Sequence, residues 1–354
     1  MSNPFTTSHS PFIIAGPCSI ESEAQFTSVT RRLAAIAEVD MIRCGIWKPR
    51  TRPGGFQGMG VDAFPVIDSA VRRLADEGLT HLPPFCCEVA TPMHVEQCLR
   101  HGIGTVWIGA RTTGNPFMVD ELANALRGTA LAVMVKNPSS PDIKLWLGAV
   151  ERLRAAGVES LAAVHRGFAQ YGERTYRNAP LWELPIEFKR SCPDIPLFCD
   201  PSHITGRRDL VRHIAQTALD LHFDGLMVEV HPEPTQALTD PDQQLSPALF
   251  AQMLDQLKRR SHDENPDGLT LLRSRIDSVD GELLRLLAQR MDLARDIAAV
   301  KRQHNMAVFQ PQRWNAVLSS KLEQARHLGL DEEFVKALFE KIHSESIRLQ
   351  QGEI

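Results

Sequence analysis

The sequence predicts an α/β chain: a (β/α)8 barrel followed by a small all-α domain. Three observations carry this reading. From residue 12 to about 260, eight short, continuous apolar runs alternate with helical patterns. No G-x-G-x-x-G follows the first run, which argues against a doubly wound dinucleotide-binding sheet. Beyond a polar stretch at 261–268 the pattern changes to helix alone.

The apolar runs are FIIAGPC (12–18), MIRCGI (41–46), LTHLPPFC (79–86), TVWIGA (105–110), LAVMVKN (131–137), SLAAVH (160–165), PLFCD (196–200) and GLMVEV (225–230). Runs without polar alternation mean strands covered on both faces, as in parallel sheets. Between them fall helical segments: Gln25–Ala37, Phe64–Glu77, Pro116–Leu126, Lys144–Ala155, Arg207–Leu221 and Pro247–Arg260. Such units repeated over roughly 250 residues are the pattern of a closed barrel. Residues 261–268, SHDENPDG, read as a linker, which sets domains at 1–260 and 269–354. In the second domain Leu272, Ile276, Val279, Leu283, Leu286, Ala294 and Ile297 recur at helical spacing, and two or three helices are expected. A region this small buries that stripe best against a second copy, so a homodimer through the helical domain is expected.

Composition excludes several classes. A net charge of −4 argues against nucleic-acid binding through bulk basicity. The first residues lack a basic and apolar leader, and no stretch approaches the roughly 18 apolar residues of a membrane span. A cytoplasmic protein is expected. The seven cysteines are odd in number and form no C-x-x-C pair, which points away from a disulfide scaffold.

In a barrel, reactive residues sit at the carboxyl ends of strands and in the loops that follow. There the sequence gathers Cys18, Arg43, Lys48, Arg50, Arg111, Lys136, His165, Arg166, Asp200, His203, Glu229 and Asp240. The guanidinium and ammonium groups at one mouth of an acidic protein require anionic partners, phosphates and carboxylates being the natural ones. Cys18, His203, Glu229 and Asp240 come from the first, seventh and eighth strand positions, which adjoin when a barrel closes. As a set they suit one divalent transition metal. Singly, Cys18 also reads as a core residue and His203 as a turn residue. Glu88, expected after the third strand, positions water or a cation, or forms a structural ion pair.

Beside this reading stands a resemblance. AGPCSIES (15–22), IRCGIWKPRTRPGGFQG (42–58), IGAR (108–111), VKNP (135–138), HRGF (165–168), CDPSHITGRR (199–208) and EVHPEPTQALTDPDQQL (229–245) resemble 3-deoxy-D-arabino-heptulosonate 7-phosphate (DAHP) synthase. The likeness covers about 12–260 and is to the shorter bacterial class, type I-beta, without an added amino-terminal regulatory domain. It implies a TIM barrel that condenses phosphoenolpyruvate with erythrose 4-phosphate. The implied metal ligands are Cys18, His203, Glu229 and Asp240, holding Mn, with Fe, Co and Zn left open. Arg43, Lys48, Arg111, Lys136 and Arg166, with Ala110 nearby, would grip phosphoenolpyruvate. Arg50 and Thr51 would hold the sugar phosphate, Asp200 would lie near its hydroxyls, and Lys48 would donate the proton. Arg52 departs from the small hydroxyl residue of many relatives. An octulosonate-phosphate synthase is the related alternative, disfavoured by the KPRTRP loop. A Schiff-base aldolase using Lys136 or Lys48 would have no need of the metal set.

On the long helix Arg290 and Lys301 interrupt the apolar stripe eleven residues apart, close to three turns, and so share a face. Two inward cations imply an enclosed anion, unless their stems snorkel. Residues 271–301, QPQRW (310–314) and FEKIHSESIRLQQ (339–351) resemble the all-helical chorismate mutases. That implies a site lined by Arg273, Arg290, Lys301, Arg313 and Gln350, with Lys301 and Gln350 at the ether oxygen of chorismate. Arg273 lies about 25 Å from Arg290 along the helix and would come from a partner subunit. Gln310 and Trp314 stand where relatives often carry acids. A non-catalytic, dimerising sensor domain therefore remains the alternative. The fusion itself predicts feedback by prephenate.

Overall fold

The computed structural model describes residues 4–6, 10–48, 54–258 and 269–351. Two compact units divide the chain at Ser261/His262.

The first unit is a closed barrel of eight parallel strands in sequential order. They are β1 (Phe12–Gly16), β2 (Met41–Cys44), β3 (Phe85–Val89), β4 (Thr105–Ile108), β5 (Ala132–Lys136), β6 (Leu161–His165), β7 (Leu197–Cys199) and β8 (Gly225–Glu229). The ring closes between β1 and β8, with Phe12 opposite Gly225 and Gly16 opposite Glu229. Around it lie α1 (Glu23–Ala34), α2 (Ala63–Asp76), α3 (Pro92–Arg100), α4 (Ala110–Thr113), α5 (Pro116–Leu126), α6 (Ile143–Ala155), α7 (Glu183–Ser191), α8 (Pro201–Thr205), α9 (Arg208–Asp220) and α10 (Pro247–Gln256). Six of these ten helices start where a short polar side chain accepts an orphan backbone N–H, Asp200 serving α8 in this way. Ser22, Thr91, Asn115, Asp142 and Ser246 do so ahead of α1, α3, α5, α6 and α10.

Alternation along each strand builds two cores. Phe12, Ile14, Met41, Cys86, Trp107, Met134, Val164, Phe198 and Met227 fill the barrel interior. Ile13, Ala15, Ile42, Val106, Val133, Val135 and Val228 face the helices. Both sets are buried, which is why the strands read as unbroken apolar runs. Phe5 joins the interior set, edge-on to Phe12 and Phe198 at 6.5 and 5.9 Å.

The third strand departs from expectation: it begins at Phe85 rather than near Leu79. Pro83 and Pro84 have no N–H to give a ladder, so pairing starts only after them, with Ile42 N donating to Pro84 O at 2.8 Å. Glu88 consequently lies within β3, not after it.

The second unit has three helices, α11 (Leu269–Gln303), α12 (Pro311–Leu328) and α13 (Glu332–Gln351), with α11 and α12 each packing on α13. Among the described residues, burial on α11 is confined to its second half, at Ala294 and Ala298. Leu272, Ile276, Val279, Leu283, Leu286 and Ile297 are all exposed in the single chain. No helix among the described residues is long and apolar enough to cross a membrane.

Candidate active site

At the carboxyl end of the barrel β1 and β8 bring three donors together. One ligand atom each of Cys18, Glu229 and Asp240 lies within 4.8 Å of the others. Cys18 follows β1; its N–H donates to Gln244 Oε1 at 2.9 Å, and its Sγ stands 3.4 Å from Asp240 Oδ2. The main chain is tight here, since a Cβ on Gly45 would fall 1.7 Å from Cys18 O. Only glycine at the end of β2 lets Cys18 sit where it does. Asp240 adopts a positive φ of 44° and is held by Arg177 Nη1 at 3.0 Å.

His203 stands at the edge of this trio. Its Nδ1 pairs with Asp200 Oδ2 at 2.7 Å, and Asp200 also caps α8 by accepting His203 N at 3.0 Å. With Nδ1 carrying the proton for Asp200, Nε2 is left as a lone pair, and it faces Glu229 Oε1 at 3.6 Å. Burial lowers the His203 pKa, with Asp200 and Glu229 working against it. Glu229 Oε1 is buried without a hydrogen bond, although Arg43 Nη2 approaches it to 3.0 Å. Burial would raise Glu229, but His203, Arg43 and Lys48 outweigh it and bring the pKa to about 2. Two lone-pair donors therefore face each other beside a thiol and a second carboxylate. That donor set, one N, one S and two O, fits a divalent transition metal. Burial, reinforced by Glu229, pushes the Cys18 thiol up to about 12; a cation at this point would favour the thiolate instead.

Next to the trio opens a cavity of about 650 Å³. Lys48, Arg111, Lys136, Arg166 and Arg177 line it, with Glu88, Ala110, Asn178, His203 and Asp240. Lys136, ending β5, pairs with Asp200 at 2.6 Å. Arg166, following β6, donates to Asn178 Oδ1 at 2.6 Å. Burial lowers the Arg166 pKa to about 10; Asp200 and Glu88 oppose the fall, and Arg177 and Arg111 add to it. Lys48 is driven the other way: burial disfavours its charge, but Cys18 and Glu229 raise it above the usual lysine value. Gly109 completes the wall, since a Cβ there would lie 2.1 Å from Glu88 Oε1.

In the helical unit, Arg290 Nη1 on α11 donates to Ser346 Oγ on α13 at 2.5 Å, and Lys301 Nζ donates to Gln350 Oε1 at 3.2 Å and Val308 O at 2.5 Å. Neither cation has a carboxylate partner among the described residues.

The model of the DAHP synthetase I family matches residues 7–263. The chain belongs to that family. The chorismate mutase type II family matches residues 272–351. The chain is therefore an enzyme carrying a DAHP synthase domain and a chorismate mutase domain, both of the shikimate pathway. It is 30% identical over 248 residues to the phospho-2-dehydro-3-deoxyheptonate aldolase of Thermotoga maritima, covering 70% of this chain and 69% of that protein. The crystal structure of a Thermotoga maritima phospho-2-dehydro-3-deoxyheptonate aldolase (DAHP synthase) superposes with a TM-score of 0.60 at 27% identity, over 69% of this chain and 67% of the other. A shorter match, 30% over 150 residues, is to the 2-dehydro-3-deoxyphosphooctonate aldolase of Synechococcus, 39% of this chain and 52% of that one. The helices are 35% identical over 78 residues to the T-protein of Enterobacter agglomerans, 22% of this chain and 21% of that protein.

Within the DAHP synthase domain most expected residues converge, with two differences. Arg43 does not line the cavity: it is buried, paired with Glu229 and 5.2 Å over the Trp107 ring, and its Nε and Nη1 have no acceptor. Asp200, expected near sugar hydroxyls, is fully buried and engaged by Lys136 and His203. Arg50, Thr51 and Arg52 lie outside the described residues. In the mutase domain Arg273 and Arg313 are exposed, while Arg290 and Lys301 reach Ser346 and Gln350 on α13. Sequence reasoning missed Arg177 and Asn178, which come from the long loop after β6. Asn178 Nδ2 donates to His203 O at 2.6 Å while its Oδ1 accepts from Arg166. Their place in a loop after a strand's carboxyl end was the available signal.

Proposed function

We propose that the barrel joins phosphoenolpyruvate to erythrose 4-phosphate, giving DAHP and phosphate, with one divalent metal held by Cys18, His203, Glu229 and Asp240. The observation that carries this is the pairing of an N, S, O, O donor set with a cavity lined by five cations. Bound there, the metal would supply Lewis acidity to the aldehyde. Lys136, Arg166 and Arg111, with Arg43 behind them, bind the phosphate and carboxylate of phosphoenolpyruvate and hold its methylene carbon toward the aldehyde. A carbon–carbon bond forms between the two, and Lys48 gives its proton to the former aldehyde oxygen. Water then adds at the second carbon of phosphoenolpyruvate, and phosphate leaves with its bridging oxygen. Manganese is the ion we propose; Fe, Co and Zn satisfy the same donors.

The mutase domain, on this reading, converts chorismate to prephenate. Arg290 takes a carboxylate, while Lys301 and Gln350 meet the ether oxygen where charge develops, so no nucleophile is needed. The exposed apolar stripe on α11 supports a homodimer in which the partner subunit provides the Arg273 position. Prephenate held at this domain would inhibit the synthase if two arrangements of the chain bind it with different affinity.

The test is a synthase assay on chelator-stripped protein resupplied with single divalent ions, with and without prephenate. Activity should vanish on stripping and return with an ion, most with Mn, and prephenate should depress it. Full activity after stripping refutes the metal reading; synthase rates unchanged at saturating prephenate refute the feedback.

A further inference from the structure

One group in the mutase domain is left over by this account. His343 lies on α13, one turn before Ser346 and two turns before Gln350, so the three share a face. Its ring stacks on Trp314 of α12 with centroids 4.0 Å apart and planes 8° from parallel. Phe309, in the connection between α11 and α12, adds a tilted contact at 5.9 Å. His343 Nε2 is buried and has no hydrogen-bond partner. A fixed ring with an unused polar atom, in electrostatic reach of two cations that have no carboxylate partner among the described residues, is an arrangement for a ligand.

We propose that His343 is a third donor to the dicarboxylate bound by Arg290 and Lys301, with Trp314 fixing the plane of its ring. This rests on the mutase reading and deepens it: the residue selects for a dianion over a monoanion. In the empty site burial lowers the His343 pKa, and the charges of Arg290 and Lys301 lower it further, so the ring is neutral. These two, both from α11, are the titratable groups acting on it. The α12 side offers the Trp314 ring, and α13 itself offers Ser346 and Gln350. No carboxylate among the described residues compensates. A bound dianion cancels the two positive charges and gives Nε2–H an acceptor, so the pKa rises on binding and the site takes up a proton. Affinity for a dianion must then increase as pH falls from 8 toward 6, a range in which ordinary carboxylates stay ionised.

Calorimetric titration of the full-length chain with prephenate, at pH 6 and 8 and in two buffers of different ionisation heat, tests this. The expected result is binding several-fold tighter at pH 6, with proton uptake in the wild-type protein. His343→Phe keeps the stack; it should bind roughly tenfold more weakly, the worth of one charge-assisted hydrogen bond, and with no pH dependence. His343→Gln should recover affinity and remain flat with pH. Wild-type binding without proton uptake overturns the proposal, and so does His343→Phe binding like wild type with the same slope. If Arg290→Ala then abolishes binding, the mutase reading survives alone. If wild-type protein does not bind prephenate at all, both fail.

Discussion

Histidine 165 gives a prediction whose size follows from its surroundings. It ends β6 with its side chain fully buried, among Trp182, Phe168, Phe223 and Trp146 at ring distances of 5.3 to 6.5 Å. Neither ring nitrogen makes a sound hydrogen bond. Burial lowers its pKa to about 3; Arg166 adds to the drop, and the Pro180 carbonyl and Asp200 offset little of it. The unfolded chain would titrate this ring near 6.5. The folded pKa is therefore the lower one. The stabilisation is whole above pH 6.5 and declines as pH falls toward 3, because the unfolded state takes the proton first. At about 1.4 kcal/mol per pH unit, moving from pH 7.5 to 5.0 costs the barrel about 2 kcal/mol through this one residue. The assay is urea unfolding of the full-length chain at both pH values, followed by tryptophan fluorescence, since four of the five tryptophans (47, 107, 146 and 182) are in the barrel. His165→Phe keeps a ring among its aromatic neighbours and should lose that 2 kcal/mol of pH sensitivity while other groups contribute equally to both proteins. Equal pH sensitivity in variant and wild type would refute the reasoning.

Three further outcomes are expected. Gly109→Ala drives a Cβ into Glu88 Oε1 and disturbs the cavity wall; synthase kcat/KM should fall at least tenfold with the melting temperature little changed. Asn178→Ala removes the link from Arg166 to the His203 carbonyl; KM for phosphoenolpyruvate should rise about tenfold, with a smaller change in kcat, read from initial rates. Leu283→Glu with Leu286→Glu on α11 should lower the mass found by light scattering if the apolar stripe is the dimer contact, and leave it unchanged if it is not.

Much of the barrel was legible because burial on both faces leaves a signal that survives without tertiary knowledge: unbroken apolar runs that end in Cys18, Lys136, His165–Arg166 or Glu229. The start of β3 was misread because LTHLPP is apolar enough to resemble a strand, while its prolines deny it a ladder. Asn178 and Arg177 were not legible for a different reason. Their positions are set by main-chain bonds to the α8 segment, Arg177 N to Thr205 O and Asn178 N to Ile204 O, which no local pattern encodes. On α11 the periodicity announced an apolar face, and the small size of the region already implied that the single chain would leave much of it exposed. Arg290 and Lys301 stood out only because they broke that periodicity.

The plug formed by Phe5 bears on how the barrel is completed. Its ring has Phe12 for company almost at once, but Phe198 emerges roughly 190 residues later, some 10 to 40 s at ordinary translation speeds. Until β7 arrives, the lower end of the cylinder has an aromatic stopper and nothing to seat it in. Sealing that end is thus a late, long-range event, and the Phe5–Phe12 pair waits for its third ring until β7 has been made.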